Sequence, residues 1–314
     1  MTTGWLVAAR AVHIGSCLLF FSIFAFDRFV VGASGFGREP ARSAYWRVWM
    51  RRWSLIALAI VLASGAAWLL LVAATMSGLP MNRLFSSGVV MTVVRRTHFG
   101  AVWEIRGLLW AAAALLTVLD RRALRSLARS GARWAILACG ALLCGSLSWA
   151  GHGLDGPPWH RFADALHVVM AGCWPAGLLP LAAVLTYLRR HPGPSAQPAA
   201  YALTRRFSAV SFVSVTLLAA NGCLDAEPLV GSWANLVESP YGRWLSLKIV
   251  LFGAALAIGG VNLFRLEPCL EAGDPRCAAS AACRLRRNVR RELILGSAIV
   301  LVVAILGLLA MPVE

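Results

Sequence analysis

The hydrophobic positions of this chain fall into eight long runs, which polar stretches rich in arginine separate. Each run has close to the ~20 apolar residues that a helix needs to cross a lipid bilayer. The pattern predicts an all-α fold with eight transmembrane helices at about residues 5–27, 53–75, 99–119, 134–151, 162–188, 207–223, 243–264 and 293–312. We expect these helices to form a single transmembrane domain over residues 1–314.

Arginine is distributed unevenly among the stretches between these runs. Of the 30 Lys and Arg residues, 22 lie in alternate stretches, within residues 27–52, 120–133, 189–206 and 265–292. Positively charged loops stay on the cytoplasmic side of a bacterial inner membrane. The pattern therefore predicts a multi-pass inner-membrane protein with both termini in the periplasm. Because the net charge of +16 is explained by this topology, we expect no nucleic acid partner.

Composition supports a membrane protein over a soluble one. The chain is 59% hydrophobic and only 14% charged, with a mean hydropathy of +0.70. A soluble domain of this length needs more charged surface to cover its core. No nucleotide-binding loop and no complete hydrolase triad stand out, so we expect a protein that is not an enzyme.

The eight cysteines do not form a pattern that predicts a disulfide framework. Four of them lie inside apolar runs, where cysteine usually packs as a small hydrophobic residue. Cys269, Cys277 and Cys283 lie in a predicted cytoplasmic stretch, where thiols stay reduced. Their spacing is looser than that of structural zinc sites, and a metal-handling role for them stays open.

Five of the six histidines fall in the predicted outer half of the bilayer or in an outer loop, and only His191 lies in a cytoplasmic linker. Ionisable groups at membrane depth are costly and usually face a bundle interior or a wet cavity. Imidazole is a ligand for copper and related metals. The distribution predicts an outer metal site built from His13, His98, His152 and His167.

Further side chains near these histidines could support them or bind the metal themselves. Asp164 and His167 share a helix face, because they are three residues apart. The complete set of such candidates is Asp164, Met170, Cys17, Glu104 and His160. For each candidate the alternative is an interhelical hydrogen bond or simple packing. Arg106, also inside an apolar run, is interpreted as an ion-paired or snorkelling side chain.

Several short motifs carry a resemblance to a known family. They are Gly151-His152-Gly153, Asp164-Ala165-Leu166-His167, the stretch 173–181, Arg206-Phe207-Ser208, Asn221-Gly222, the stretch 239–243, Lys248 and Asn262. With them the chain resembles the copper resistance protein D family (CopD, PcoD), whose members have eight predicted transmembrane helices. Where the family has Trp-x-Gly-Gly, this chain has Trp174-Pro175-Ala176-Gly177, and Pro175 is expected to bend the helix.

The resemblance implies a function in copper handling. The expected cargo is a copper ion of either oxidation state, taken up at the periplasmic side and moved toward the cytoplasm. The implied partners are the lipid bilayer and a periplasmic copper carrier of the CopC type. Two alternatives stay open: a membrane electron-transfer protein with a single haem b held by histidines, and a scaffold that delivers copper without transporting it.

Overall fold

The computed structural model of the chain describes residues 2–120, 126–150, 158–230, 234–272 and 274–310. Over these ranges the fold is all-α, with no β-strand, which confirms the predicted class. The α-helices are α1 (Thr2–Phe26), α2 (Gly32–Ser34), α3 (Pro40–Ser77), α4 (Val89–Arg96), α5 (His98–Asp120), α6 (Ser126–Gly145), α7 (Pro158–Cys173), α8 (Leu178–Arg190), α9 (Ala196–Val230), α10 (Asn235–Glu238), α11 (Pro240–Val261), α12 (Glu267–Glu271) and α13 (Pro275–Leu306). Two π-helical turns, Asp27–Val31 and Asn262–Leu266, continue α1 and α11.

Seven helical stretches in the described part of the chain are long and apolar enough to cross a membrane. They are Thr3–Ser34, Pro40–Ser77, His98–Asp120, Gly131–Ala150, Trp159–Arg190, Ala196–Leu224 and Pro240–Glu271. Each overlaps one of the first seven predicted spans, so the chain is a multi-pass membrane protein by length and composition.

The eighth predicted span, 293–312, lies at the end of α13. This helix carries Arg290, Arg291 and Glu292 directly before its apolar part, and its described helical residues end at Leu306. The helical part of the uncharged run, residues 293–306, is shorter than the ~20 residues that a full crossing needs, although the uncharged run itself continues to residue 313. That α13 crosses the bilayer stays a prediction, as does the periplasmic position of both termini.

The helices extend beyond the apolar runs, into stretches that the hydrophobic pattern treats as loops. In the predicted 27–52 loop, α3 already begins at Pro40, and in the predicted 265–292 loop α13 begins at Pro275. Arginine and alanine are good helix formers, so a helix continues where the apolar composition stops. The hydrophobic pattern therefore finds the membrane-embedded part of each helix and misses its polar extension.

The helix predicted over 162–188 is interrupted at Pro175, as expected. Helix α7 ends at Cys173 and α8 begins at Leu178. The amide of Ala176 bonds to the Ala171 carbonyl at 3.3 Å, one residue further back than in a regular α-helix. Proline has no N–H to donate and its ring disturbs the preceding turn, which explains the break.

The chain divides into two compact units. The first comprises Met1–Phe21, Trp53–Val169 and Val303–Leu309, and the second comprises Ser22–Arg52, Met170–Val302 and Ala310–Glu314. Each unit is described by itself below. That residues 1–314 form a single transmembrane domain stays a prediction.

Three of the four arginine-rich stretches meet within the second unit. Arg42 Nη2 donates a hydrogen bond to Ser195 Oγ at 2.7 Å, which joins the 27–52 and 189–206 stretches. A cavity of about 310 Å³ joins the 189–206 and 265–292 stretches; its lining residues are Arg189, Cys283, Arg286, Arg287 and Arg290. These three stretches therefore lie at the same end of the unit, as an alternating topology requires.

The prediction for the cysteines at 269 and 277 needs a correction. The two residues form a disulfide bond in this structure, with their Cα atoms 5.6 Å apart. They are eight residues apart in sequence, one in α12 and the other in the first turn of α13. Sequence spacing alone does not reveal this contact, because it depends on where the two helices end and begin.

Candidate functional site

The first unit contains a buried histidine whose ring is held on both sides. His13, on α1, is only 1% exposed. Its Nδ1 lies 3.1 Å from the Val61 carbonyl oxygen and 3.1 Å from Ser64 Oγ, both on α3. A carbonyl can only accept, so Nδ1 carries the proton and Nε2 presents its lone pair. Cys17 lies one helical turn further along α1, with its Sγ 3.8 Å from Nε2.

Arg106 of α5 points its guanidinium group at this lone pair. The side chain is 2% exposed, and its Nη2 donates to His13 Nε2 at 2.6 Å and to Cys17 Sγ at 3.4 Å. Its Nη1 donates to the Leu143 carbonyl at 2.7 Å and to Ser146 Oγ at 2.6 Å. No carboxylate of the described residues pairs with Arg106, and its Nε has no hydrogen-bond partner there. A buried guanidinium without a counter-ion is costly at membrane depth, which makes Arg106 a candidate functional residue.

Aromatic rings and a glycine enclose the imidazole. The ring centroids of Trp68 and Trp103 lie 5.6 and 5.1 Å from that of His13, both in edge-to-face geometry. A Cβ added at Gly65 would lie 3.0 Å from His13 Cε1 and 3.3 Å from a ring carbon of Trp103. Gly65 therefore leaves the space that the imidazole occupies.

Helical spacing explains why these side chains meet. His13 and Cys17 are four residues apart, and residues three or four apart share a helix face. On α3 the contacting residues follow the same period; they are Val61, Ser64, Gly65 and Trp68. On α5, Trp103 and Arg106 are three residues apart. Three helices thus each present one face to the His13 imidazole.

The arrangement offers a nitrogen and a sulfur donor to one cation. A metal ion bonds to nitrogen at about 2.0 Å and to sulfur at about 2.3 Å, so one ion can join two such donors up to about 4.3 Å apart. His13 Nε2 and Cys17 Sγ are 3.8 Å apart, which is within this limit. Arg106 Nη2 contacts both donors, so its positive charge lies where a bound cation would lie. The donor set fits a copper ion once this nitrogen moves away.

Among the described residues, the other predicted histidines do not form a metal-binding group with His13 and Cys17. His98 is the first residue of α5 and is exposed, and His160 and His167 lie partly buried on α7. His152 lies outside the described residues. In the described ranges, no three His, Cys, Asp or Glu side chains come close enough to hold a metal ion. The joint metal site of His13, His98, His152 and His167 stays a prediction.

The supporting residues are also dispersed. Cys17 is buried beside His13, whereas Glu104 is exposed on α5. Asp164 lies partly buried on α7, one turn before His167. Met170 lies on the same helix but belongs to the second unit.

Sequence reasoning missed the role of Arg106. It was interpreted as ion-paired or snorkelling, but it is buried against His13 and Cys17. The position of Arg106 in the sequence could have indicated this contact. Arg106 lies eight residues inside the apolar helix α5, and no acidic residue lies one turn away on the same helix face. Ser64 and Gly65 carry no such signal, because small residues are common in membrane helices.

The same geometry bears on the haem alternative. A haem bound at His13 needs a flat space beside Nε2 for the porphyrin. That space holds the guanidinium of Arg106, and Trp68 and Trp103 pack against the ring. The packing around His13 therefore favours a small cation over a macrocycle.

Comparison with known proteins covers most of the chain. The family model described as Copper resistance protein D-like, N-terminal domain, matches residues 1–162. The model described as Copper resistance protein D matches residues 201–306. Copper resistance protein D of Pseudomonas syringae pv. tomato is 29% identical over 225 residues, which cover 69% of this chain and 68% of that protein. The first model alone spans more than half of the chain, so this chain belongs to the copper resistance protein D family.

Proposed function

We propose that this protein binds copper at the His13–Cys17 pair and moves it from the periplasm toward the cytoplasm. The observation that carries the proposal is the pair of donor atoms, Nε2 and Sγ, which lie 3.8 Å apart on one buried face of α1. Imidazole together with a thiolate suits Cu(I) better than hard cations such as Mg²⁺. The hydrogen bonds from Nδ1 to α3 fix the ring so that its lone pair faces Cys17.

Arg106 controls access to the pair in this proposal. Its Nη2 stabilises the two donors while no metal competes for them, and copper binding requires Nη2 to withdraw. Its Nη1 is anchored separately, to the Leu143 carbonyl and to Ser146 Oγ. The side chain can therefore rotate about this anchor without losing all of its hydrogen bonds.

The remaining parts of the proposal concern the route. Copper arrives from a periplasmic carrier of the CopC type, and the inner membrane is the location that the arginine asymmetry predicts. His98, exposed at the start of α5, is on the predicted outer side, where copper would first meet the protein. His152, His160 and His167, with Asp164, are further candidate contacts on that side.

Cu(I) binding to the purified full-length protein tests the proposal. The protein in detergent is titrated with Cu(I) in competition with a chromogenic Cu(I) chelator, under anaerobic conditions. We expect His13→Gln and Cys17→Ala each to weaken binding at this site at least tenfold, because each removes one of two donors. His191→Gln is the matched control, since His191 is exposed and its Nδ1 bonds to the Tyr187 carbonyl at 3.0 Å.

Two results would contradict the proposal. One is Cu(I) binding that is equal in the wild type and in both donor variants. The other is a loss of the same size in His191→Gln, because that would show a nonspecific effect of removing any imidazole. Size-exclusion profiles of all variants establish that they remain folded.

A further inference from the structure

A pair of cysteines, which carry soft sulfur donors, lies in the second unit, far along the sequence from His13. Cys269 is on α12 and Cys277 is in the first turns of α13, and both are partly buried. Their Cα atoms are 5.6 Å apart, and the two residues are joined as a disulfide in this structure. The pair belongs to the arginine-rich 265–292 stretch, which is predicted to face the reducing cytoplasm.

The position of the two cysteines depends on packing as well as on their own bond. Leu270, next to Cys269, is 3% exposed, and Ala278, next to Cys277, is also 3% exposed. The Leu270 carbonyl accepts a hydrogen bond from Gln197 Nε2 at 3.3 Å, which ties α12 to α9. These contacts hold α12 against α9 and bury the neighbour of each cysteine without involving either sulfur atom.

We propose that the reduced Cys269–Cys277 pair binds one Cu(I) ion and receives copper at the end of its path through the membrane. Thiolates are the ligands that Cu(I) prefers. Two metal–sulfur bonds of about 2.3 Å each reach across about 4.6 Å, which suits side chains whose Cα atoms are 5.6 Å apart. The thiol pool of the cytoplasm first reduces the disulfide, which supplies two electrons and two protons. Each thiol then releases one proton as the two thiolates coordinate Cu(I), and the ion keeps its oxidation state.

The role as a receiving site rests on the proposed function, whereas the binding of Cu(I) does not. His13 and Cys17 supply donors on the predicted outer side, and the inner half of the apolar runs offers no further histidine. A dithiol at the inner end gives copper a destination with a stronger preference for Cu(I) than a mixed nitrogen and sulfur site.

Cu(I) stoichiometry of the full-length protein tests this inference. Protein in detergent is reduced with a phosphine, freed of the reductant, and titrated anaerobically with Cu(I) against a chromogenic chelator. We expect the double variant Cys269→Ser/Cys277→Ser to bind one Cu(I) per chain fewer than the wild type and to lose ultraviolet sulfur-to-Cu(I) charge-transfer absorption. Cys283→Ser and Cys223→Ser are matched controls, because both cysteines are exposed and unbonded.

The outcomes separate this inference from the proposed function. If the double variant binds as much Cu(I) as the wild type while Cys17→Ala binds less, the dithiol site is wrong and the outer site stands. If only the double variant loses an ion, the dithiol site stands and the outer site is wrong. An equal loss in Cys283→Ser overturns the assignment to this pair.

The redox state in cells provides an independent test. A permeant maleimide added to intact cells should modify Cys269 and Cys277 of the full-length protein, which peptide mass spectrometry can detect. A pair that is found oxidised in growing cells contradicts the inference, because a disulfide has no thiolate to offer.

Discussion

At the scale of single residues, the main feature of the candidate site is the contact between the His13 imidazole and the Arg106 guanidinium. His13 Nε2 is 2.6 Å from Arg106 Nη2, and Cys17 Sγ is 3.4 Å from the same nitrogen. Sequence patterns identify His13 and Cys17 as a column on one helix face, because that needs only the helical period. They do not identify Arg106 as the third member, because its contact depends on how α1 and α5 pack.

The first prediction at this scale concerns Arg106→Gln. Two unit charges about 4 Å apart at an effective dielectric of about 20 interact by about 4 kcal/mol, so removing the guanidinium charge should favour a bound cation. We expect Cu(I) affinity at the His13–Cys17 pair to rise at least tenfold, measured by chelator competition. Arg51→Gln, which removes the charge of an exposed arginine three turns into α3, should leave this affinity unchanged.

The second prediction concerns the space around the imidazole. A Cβ at Gly65 would lie 3.0 Å from His13 Cε1, so Gly65→Ala forces the ring or the helix to shift. Overpacking of this kind costs about 1–3 kcal/mol, and we expect a lower unfolding temperature in detergent. Gly107→Ala, on α5 with no atom within 4 Å of its added Cβ, is the control. Equal stability of the two variants would contradict the tight packing at Gly65.

At the scale of helices, the hydrophobic pattern predicted where the membrane-spanning segments lie but not the residues at which the helices begin and end. It placed the first seven spans, because these depend on apolar composition. The bend at Pro175 was predicted from the proline itself, which has no N–H to donate. The hydrophobic pattern did not predict the π-helical turn Asn262–Leu266. This turn presents Asn262 to α13, where its Nδ2 donates to Glu292 Oε1 at 2.6 Å. Such a buried polar contact leaves no periodic signal in either helix.

The prediction at this scale concerns how α13 is held. Glu292 is 3% exposed and accepts hydrogen bonds from Asn262 and from the side chain of Trp174. Glu292→Ala leaves both donors buried without that acceptor, which should cost about 1–3 kcal/mol. We expect a lower unfolding temperature for Glu292→Ala, a smaller decrease for Glu292→Gln, and no change for the exposed control Glu238→Ala. A Glu292→Ala protein as stable as the control would show that these bonds do not hold α13.

At the scale of the whole molecule, arginine asymmetry is the feature that predicts the orientation of the chain in the membrane. Three of the arginine-rich stretches gather at one end of the second unit, through Arg42 and Ser195 and through the arginine-lined cavity. The asymmetry could be predicted from sequence because it requires only counting. The position of the histidines relative to each other could not, because it depends on the neighbours of each helix.

The prediction at this scale tests the orientation itself. In a Cys223→Ser/Cys283→Ser background, Ser86→Cys introduces an exposed thiol on the predicted outer side, and Ser280→Cys introduces one on the predicted inner side. An impermeant maleimide should label position 86 in intact cells and position 280 only after permeabilisation. The reverse pattern would invert the topology, and with it the proposed direction of copper movement.

Copper flux across a membrane tests whether the protein carries the ion through the His13–Cys17 pair. Purified wild-type protein, the Cys17→Ala variant and the His191→Gln control are reconstituted into liposomes that contain a fluorescent Cu(I) indicator, and Cu(I) is added outside. We expect copper entry with the wild type and His191→Gln, and at least tenfold slower entry with Cys17→Ala, because one of two donors is lost. Entry at the same rate in all three, or no entry above empty liposomes in any, would contradict this expectation.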